Sequence, residues 1–200
     1  MTLRTCAHAA LASWLLVLPS GLQGQWSLSG GIRAPRFAGG AVESASGRSL
    51  RPYRPTMFEV GLEQERGRVG VGLRLHYASS SLALEGHDGI AAVKDALSVY
   101  GAQPEVSIRL AQVGQEGVLR LYGGPLLEIW DLRDDVSHTR LGIAAALALE
   151  VPFGRRWAGA VRAGGAVTPS SPFTEADLES SFQPRTLWRR ELAGSLRYRL

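Results

Sequence analysis

Residues 68–77 read RVGVGLRLHY and alternate without a slip. Val69, Val71, Leu73, Leu75 and Tyr77 share one face; Arg68, Gly70, Gly72, Arg74 and His76 share the other. A period of two is that of a β-strand. A soluble sheet would bury the valines and leucines, but would then have no reason to strip its solvent face to glycine, where β-formers such as threonine are favoured. Which face is inside decides the fold.

The same division recurs along the chain. One face collects Phe58, Val60 and Leu62; Val106, Ile108 and Leu110; Leu119, Leu121, Leu127 and Ile129; Leu141, Ile143, Leu147, Leu149 and Val151. The other collects Glu59, Glu63, Arg74, Glu105, Arg109, Arg120, Tyr122, Glu128, Arg140, Glu150, Arg162, Glu191 and Arg197, with glycine and alanine in most of the gaps. A narrow eight-stranded barrel has room inside for side chains and little else. Turned inside out, the small residues make space for long arginines and glutamates reaching across the lumen, and the aliphatic band faces lipid. Inversion explains the glycines. A soluble lipocalin-like carrier with its leucines inside is the alternative from another class, and it leaves them unexplained.

The pattern predicts eight strands, at about 26–36, 56–65, 68–80, 102–113, 118–130, 139–152, 156–168 and 186–200. A short helix is expected over 89–101, GIAAVKDALSVYG, which follows His87-Asp88 and ends at a glycine. Tight links (ERGR, GQEG and FGRR) alternate with longer ones at 37–55, 81–101, 131–138 and 169–185. In an up-and-down meander this puts every tight turn, and both termini of the folded part, at one end. A two-residue turn at Arg66-Gly67 would pair Glu65 with Arg68, set Val60 against Leu73 and bring Glu59 across from Arg74.

Aromatic residues support the inversion. On the apolar face Trp26, Trp157 and Tyr198 lie near the tight-turn end, and Phe58, Tyr77 and Trp188 near the other, with aliphatic strand centres between. Such girdles flanking an apolar band are characteristic of outer-membrane barrels. Arg190 also falls on the lipid face, two residues from Trp188, where its stem can snorkel to the interface.

The chain from Trp26 to Leu200 therefore resembles the small eight-stranded outer-membrane barrels of the OmpA/OmpX type. Its last strand, LAGSLRYRL, is similar to the C-terminal signal that such proteins present to the barrel-assembly machinery, carried by Leu196, Tyr198 and the terminal Leu200. It departs twice: Gly194 breaks the apolar row, and leucine stands last where phenylalanine is usual. The resemblance implies an all-β, antiparallel transmembrane barrel with short periplasmic turns, longer extracellular loops and an outer-membrane location.

Bulk properties fit. Two hundred residues at 45% hydrophobic content suit one domain, and the net charge of +4 is scattered at strand spacing, with no basic cluster of the kind that binds nucleic acid. The N-terminus, MTLRTCAHAALASWLLVLPSGLQGQ, has a basic start, an apolar run from about Ala7 to Leu18 and a Pro19-Ser20-Gly21 breaker. That is the layout of a cleaved secretory signal over 1–25, the run being short for the ~20 residues of a membrane anchor. The only cysteine, Cys6, lies inside it, so the mature 26–200 domain has no thiol for catalysis or metal binding.

Chemistry is weighed against a structural plug. The interior charges have to be paired, because a lone one in a narrow lumen is costly. A salt-bridged plug is expected, with a narrow channel for small or apolar solutes as the alternative. Some small outer-membrane barrels are lipid A deacylases whose histidine and serine, two residues apart, both face lipid. Here Ser79 is three residues from His76, and the alternation turns His76 inward. His87-Asp88 and the stretch from Asp131 to His138 lack metal spacing. No enzyme, cofactor or metal is expected. Arg48, Arg51, Arg54 and Tyr53 in the first loop could meet acidic sugars or lipopolysaccharide phosphates, although solvated loops are the simpler reading. The expected partners are outer-membrane lipid, lipopolysaccharide and the assembly machinery, with the chain a monomer.

Overall fold

The structure, a computed structural model, describes residues 24–200 except 45, 87–88, 133–135 and 179–180. Of the expected signal segment only Gly24 and Gln25 are among the described residues; 1–23 lie outside them. The strands are β1 (Gln25–Ala38), β2 (Ala41–Glu43), β3 (Ser49–Tyr53), β4 (Met57–Arg66), β5 (Val69–Gly86), β6 (Gly89–Val113), β7 (Gly117–Leu132), β8 (Val136–Pro152), β9 (Trp157–Thr168), β10 (Phe182–Pro184) and β11 (Leu187–Arg199). Eight of them close a ring of antiparallel neighbours, β1-β4-β5-β6-β7-β8-β9-β11, and β11 returns to β1 from Ser27↔Arg199 to Ala38↔Trp188. A closed ring leaves no barrel strand with an unpaired edge, which the membrane interior demands.

The expected helix at 89–101 is strand. Its alanines, leucine and lysine favour helix locally, but β6 pairs with β5 from Gly86↔Gly89 down to Val69↔Ile108. Pairing along a whole hairpin outweighs a propensity of a few tenths of a kcal/mol per residue. The links 81–101 and 131–138 are accordingly not loops in the main. They are β5, β6, β7 and β8 continuing beyond the rim. The loop that follows β1 supplies β2 and β3; β3 pairs along β5, β2 along β3, and β10 joins β2. A small sheet, β10-β2-β3-β5-β6, thus stands above one side of the barrel.

The β4–β5 register is also a correction. The turn is Gly67-Arg68, with Gly67 at a left-handed φ of +62°, and Arg66 pairs with Val69. Relative to the expected register the strands shift by two residues, so the faces are unchanged but the partners differ. Gly61 lies opposite Arg74, Glu63 opposite Gly72, Glu65 opposite Gly70, and Glu59 opposite His76. The observed register sets nearly every long inner side chain against a glycine, and lumen space chooses it. The expected one would have crowded Glu59 against Arg74.

The outer wall is aliphatic: Val60, Val71, Leu75, Leu141, Ile143, Val161 and Leu192 are each more than half exposed. Phe58, Tyr77 and Trp188 lie outward at the long-loop end, joined by Tyr100, which stacks on Tyr77 at 4.9 Å between ring centroids. Trp157 and Tyr198 stack at 4.8 Å at the other end, where Trp26 is half-buried. Tyr100 is a girdle residue that the helix expectation concealed.

Candidate functional site

The inward face of the ring encloses a balanced charge network. Arg33, Arg74, Arg120, Arg162, Arg189 and Arg197 are buried with Glu59, Glu63, Glu105, Glu128, Glu150 and Glu191, six of each sign. The strands place these groups by simple alternation, each inner position followed by an outer one.

The network is continuous. At the long-loop end Arg189 pairs with Glu128 and, at 2.9 Å, with Glu191, which meets Arg33 at 3.0 Å. Arg33 Nε donates to Glu59 at 3.0 Å, and Arg74 bridges Glu59 and Glu105 at 2.9 Å each. Arg162 reaches Glu105 at 2.9 Å and lies over the Tyr122 ring at 4.4 Å. The Tyr122 hydroxyl donates to Glu150 at 2.7 Å, and Glu150 also holds Arg120 at 3.0 Å and Arg197 at 2.8 Å. Arg197 meets Glu63 at 3.2 Å and Ser27 Oγ at 2.9 Å, closing the tight-turn end. Two charges taken out of water repay that cost only where the geometry is good and the remaining hydrogen-bonding positions are filled. Here most carboxylates receive two or more guanidinium or hydroxyl donors. The gap left among Ser29, Glu63, Arg74, Tyr122, Glu150 and Arg162 measures about 20 Å³, little more than a single water needs.

Above the charges sits an apolar lid. Phe37, Met57, Ala78, Val99, Trp130 and Leu187 form a buried cluster on the inward face at the long-loop end, with the Phe37 and Trp130 rings edge-on at 5.8 Å. A second cluster of Ala41, Leu97 and Phe173, packed by Leu50, Leu82, Leu132, Leu178 and Phe182, continues it into the extracellular sheet. The mouth of the barrel is therefore closed by packed side chains, not by charges alone.

Two residues expected in the lumen lie at its rims. Arg109 is exposed at a β-bulge in β6 and pairs with Glu65 at 2.7 Å near the tight turns. It stays in register with the inward-facing Arg120, the bulge lying beyond it, and is exposed because it stands at the mouth of the lumen. Arg140 is half-buried at the opposite rim, donating from Nε to the Ser171 carbonyl. Lumen arginines consequently come from five strands. Arg33 and Arg189 were absent from the sequence-derived set, yet both were readable. Arg33 continues the inward series Ser27, Ser29, Gly31 of β1, and Arg189 has to face inward if Arg190 faces out.

His76 is buried with Nε2 3.2 Å from Glu128 Oε1, and Ser79 lies on the opposite, exposed face of β5. The two side chains diverge. Of the first-loop arginines, Arg48 is held by Glu43 at 2.6 Å, Arg51 by Glu85 and the Phe37 carbonyl, and Arg54 lies over the Tyr53 ring at 5.1 Å. Arg48 and Arg51 thus brace the extracellular sheet. The apolar positions Leu196 and Leu200 of the last strand are exposed on the outer wall, with Tyr198 half-buried beneath Trp157.

No family model matches the chain, and no curated protein sequence matches it. Solved structures do. Neisserial surface protein A superposes with a TM-score of 0.57 at 9% identity, over 86% of this chain and 96% of that one. The attachment invasion locus protein Ail of Yersinia pestis, solved with the heparin analogue sucrose octasulfate, gives 0.48 at 13% identity over 88% and 100%. The N-terminal β-barrel domain of Pseudomonas aeruginosa OprF gives 0.46 at 9% over 88% and 100%. Closed eight-stranded ring, apolar wall, charged interior and the likeness to Neisserial surface protein A together make this the fold of the small outer-membrane β-barrels, of the OmpA/OmpX-like kind that the sequence pattern resembles.

Proposed function

We propose that the protein is an exported outer-membrane barrel whose role is structural and surface-interactive, neither catalytic nor conducting. The observation that carries this reading is the double closure of the lumen: a neutral Glu/Arg network with a gap of about 20 Å³, and the Phe37/Met57/Trp130 lid above it. A conduit needs one sign of charge or a wetted path, and this interior offers neither. The wall fits a monomer surrounded by lipid and lipopolysaccharide. The exposed apolar positions of β11 fit presentation to the barrel-assembly machinery after removal of a signal peptide. What specificity the protein has falls to the extracellular sheet.

The test is membrane fractionation of the full-length chain followed by planar-bilayer recording. The mature protein is expected with outer membranes, requiring detergent for extraction, and without steady open levels. Stable conductance that rises in Arg120→Ala would replace this reading with the narrow channel. Recovery as a detergent-independent soluble protein would replace it with a lipocalin-like carrier.

A further inference from the structure

Arg36 and Arg190 stand on the lipid-facing wall directly opposite each other, on β1 and β11. Both are exposed, while their chain neighbours Pro35, Phe37, Arg189 and Glu191 turn inward. Opposed positions bring β-carbons to about 4.5–5.5 Å, and like charges held there destabilise the pair. The wall around them supplies no carboxylate: its neighbouring positions are Ala34, Ala38, Trp188, Leu192 and Gly165. Arg36 donates to the Pro35 carbonyl at 2.9 Å, and neither guanidinium has an ion pair among the described residues.

Their height on the barrel is set by the register. The row of partners that leaves β1 at Arg36 passes Arg190, Gly165, Ala145 and Gly123, then spirals down to meet β1 again at Trp26, ten residues lower. Trp26 belongs to the tight-turn girdle. Trp188, two residues above Arg190, belongs to the other. The arginine pair therefore sits at the headgroup level of the leaflet on the long-loop side, which in an outer membrane is the outer leaflet. An arginine near the interface is tolerated, but two in register repel each other, and an anion between them removes that repulsion.

We propose that Arg36 and Arg190 form a binding site for the phosphate group of a phosphorylated outer-leaflet lipid. Two planar guanidinium forks matched to phosphate oxygens make short, charge-assisted hydrogen bonds, and the phosphate removes the repulsion between them. Trp188 flanks the site at the level of the sugar or glycerol headgroup. Gly165 and Ala145, next along the descending row, leave the acyl chains of that lipid an unobstructed course down the wall. This inference rests on the outer-membrane reading.

The test uses the full chain in detergent, with native mass spectrometry of its complexes. The probes are bisphosphorylated lipid A, the same lipid dephosphorylated, and inorganic phosphate alone. Wild type is expected to retain one lipid A. Retention should fall about tenfold or more for R36Q/R190Q and for the dephosphorylated lipid, as loss of charged hydrogen bonds requires, and R36K/R190K should keep part of it. Equal retention by R36Q/R190Q, or equal retention of the two lipids by wild type, overturns the site. Inorganic phosphate bound as tightly as lipid A overturns the lipid as its source. Should R36Q/R190Q fail to refold, the comparison of the two lipids on wild type still decides. A chain that stays soluble without detergent refutes the outer-membrane reading instead, before any lipid is added.

Discussion

Gly72 shows at the residue scale why the inward face of RVGVGLRLHY is bare. A β-carbon built there would lie 2.7 Å from the Leu62 carbonyl oxygen of the neighbouring strand, and one at Gly70 would lie 2.2 Å from Glu63 Oε1 and 2.4 Å from Ser107 Oγ. The first obstacle is backbone and cannot swing away. Gly72→Val is expected to destabilise the barrel by about 1–3 kcal/mol through overpacking, measured by urea unfolding in micelles. Gly30→Val, on the outer wall with nothing within 4 Å of a β-carbon, should be neutral or mildly stabilising. Equal effects would mean that lumen space does not select glycine. The Glu59–Arg74 pair makes a second test. Each partner is shared: Glu59 keeps Arg33 and Glu105 keeps Arg162 when Arg74 is removed, so Arg74→Ala loses charged hydrogen bonds without leaving a carboxylate unpaired and should cost about 1.5–3 kcal/mol. A double-mutant cycle with Glu59→Gln should recover part of that. Strict additivity would deny the coupling.

Elements were legible where one face is buried and the other meets lipid, because a slip of one residue then exchanges charge for hydrocarbon. Strand existence and facing in the wall followed from that alone. Register within a hairpin did not, since a shift of two preserves both faces, and only the volumes of Gly61, Gly70 and Gly72 against Arg74, Glu63 and Glu65 settle it. Above the rim the same asymmetry vanishes. Residues 89–94 of β6 are exposed on both faces, so their composition read as helix, and the lid residues Met57, Val99 and Trp130, although they share the inward parity of Glu59, Glu105 and Glu128, were hidden by an apolar character that elsewhere marks the wall. The lumen charges of β4 to β9 were readable by parity; that Arg109 and Arg140 stand at the rims was not, because parity fixes the face and not the height. The extracellular sheet makes its own prediction. Glu43 is held at about 2 against an ordinary 4.5, chiefly by hydrogen bonds from Arg48 and Ser46. Folding thus favours its ionised form, and the stabilisation it gives is complete above about pH 4.5 and lost as pH falls toward 2. Hydrogen exchange across 41–53 should lose protection over that acid range in wild type. Glu43→Gln should start less protected and lack this component of the pH dependence. Identical profiles would remove Glu43 from the account.

At the scale of the whole molecule the barrel is organised inversely to a soluble domain, with its polar groups inside and its aliphatic surface outside, and stability depends on lipid covering that surface. Leu73, Leu121 and Ile143 lie on three different strands of the wall and are 43%, 40% and 65% exposed, whereas Tyr122, adjacent to Leu121, is 3% exposed and bonded to Glu150. A soluble carrier of the same sequence would reverse these accessibilities. Single cysteine variants carrying nitroxide labels, made in residues 26–200, whose sequence has no cysteine, read the difference directly. In bilayers the labels at 73, 121 and 143 should relax with dissolved oxygen, which partitions into hydrocarbon, and resist a water-soluble nickel reagent. Ile143 is in register with Val167 of β9 and Pro125 of β7, so a label at 125 should share its depth within a few ångströms, offset along the descending row. A label at 122 should either prevent folding or be silent to both reagents, because the lumen has no room for it and no solvent to bring the nickel. Nickel accessibility at 73, 121 and 143 together would mean that water, not lipid, meets this face, and the inverted barrel would fall with it.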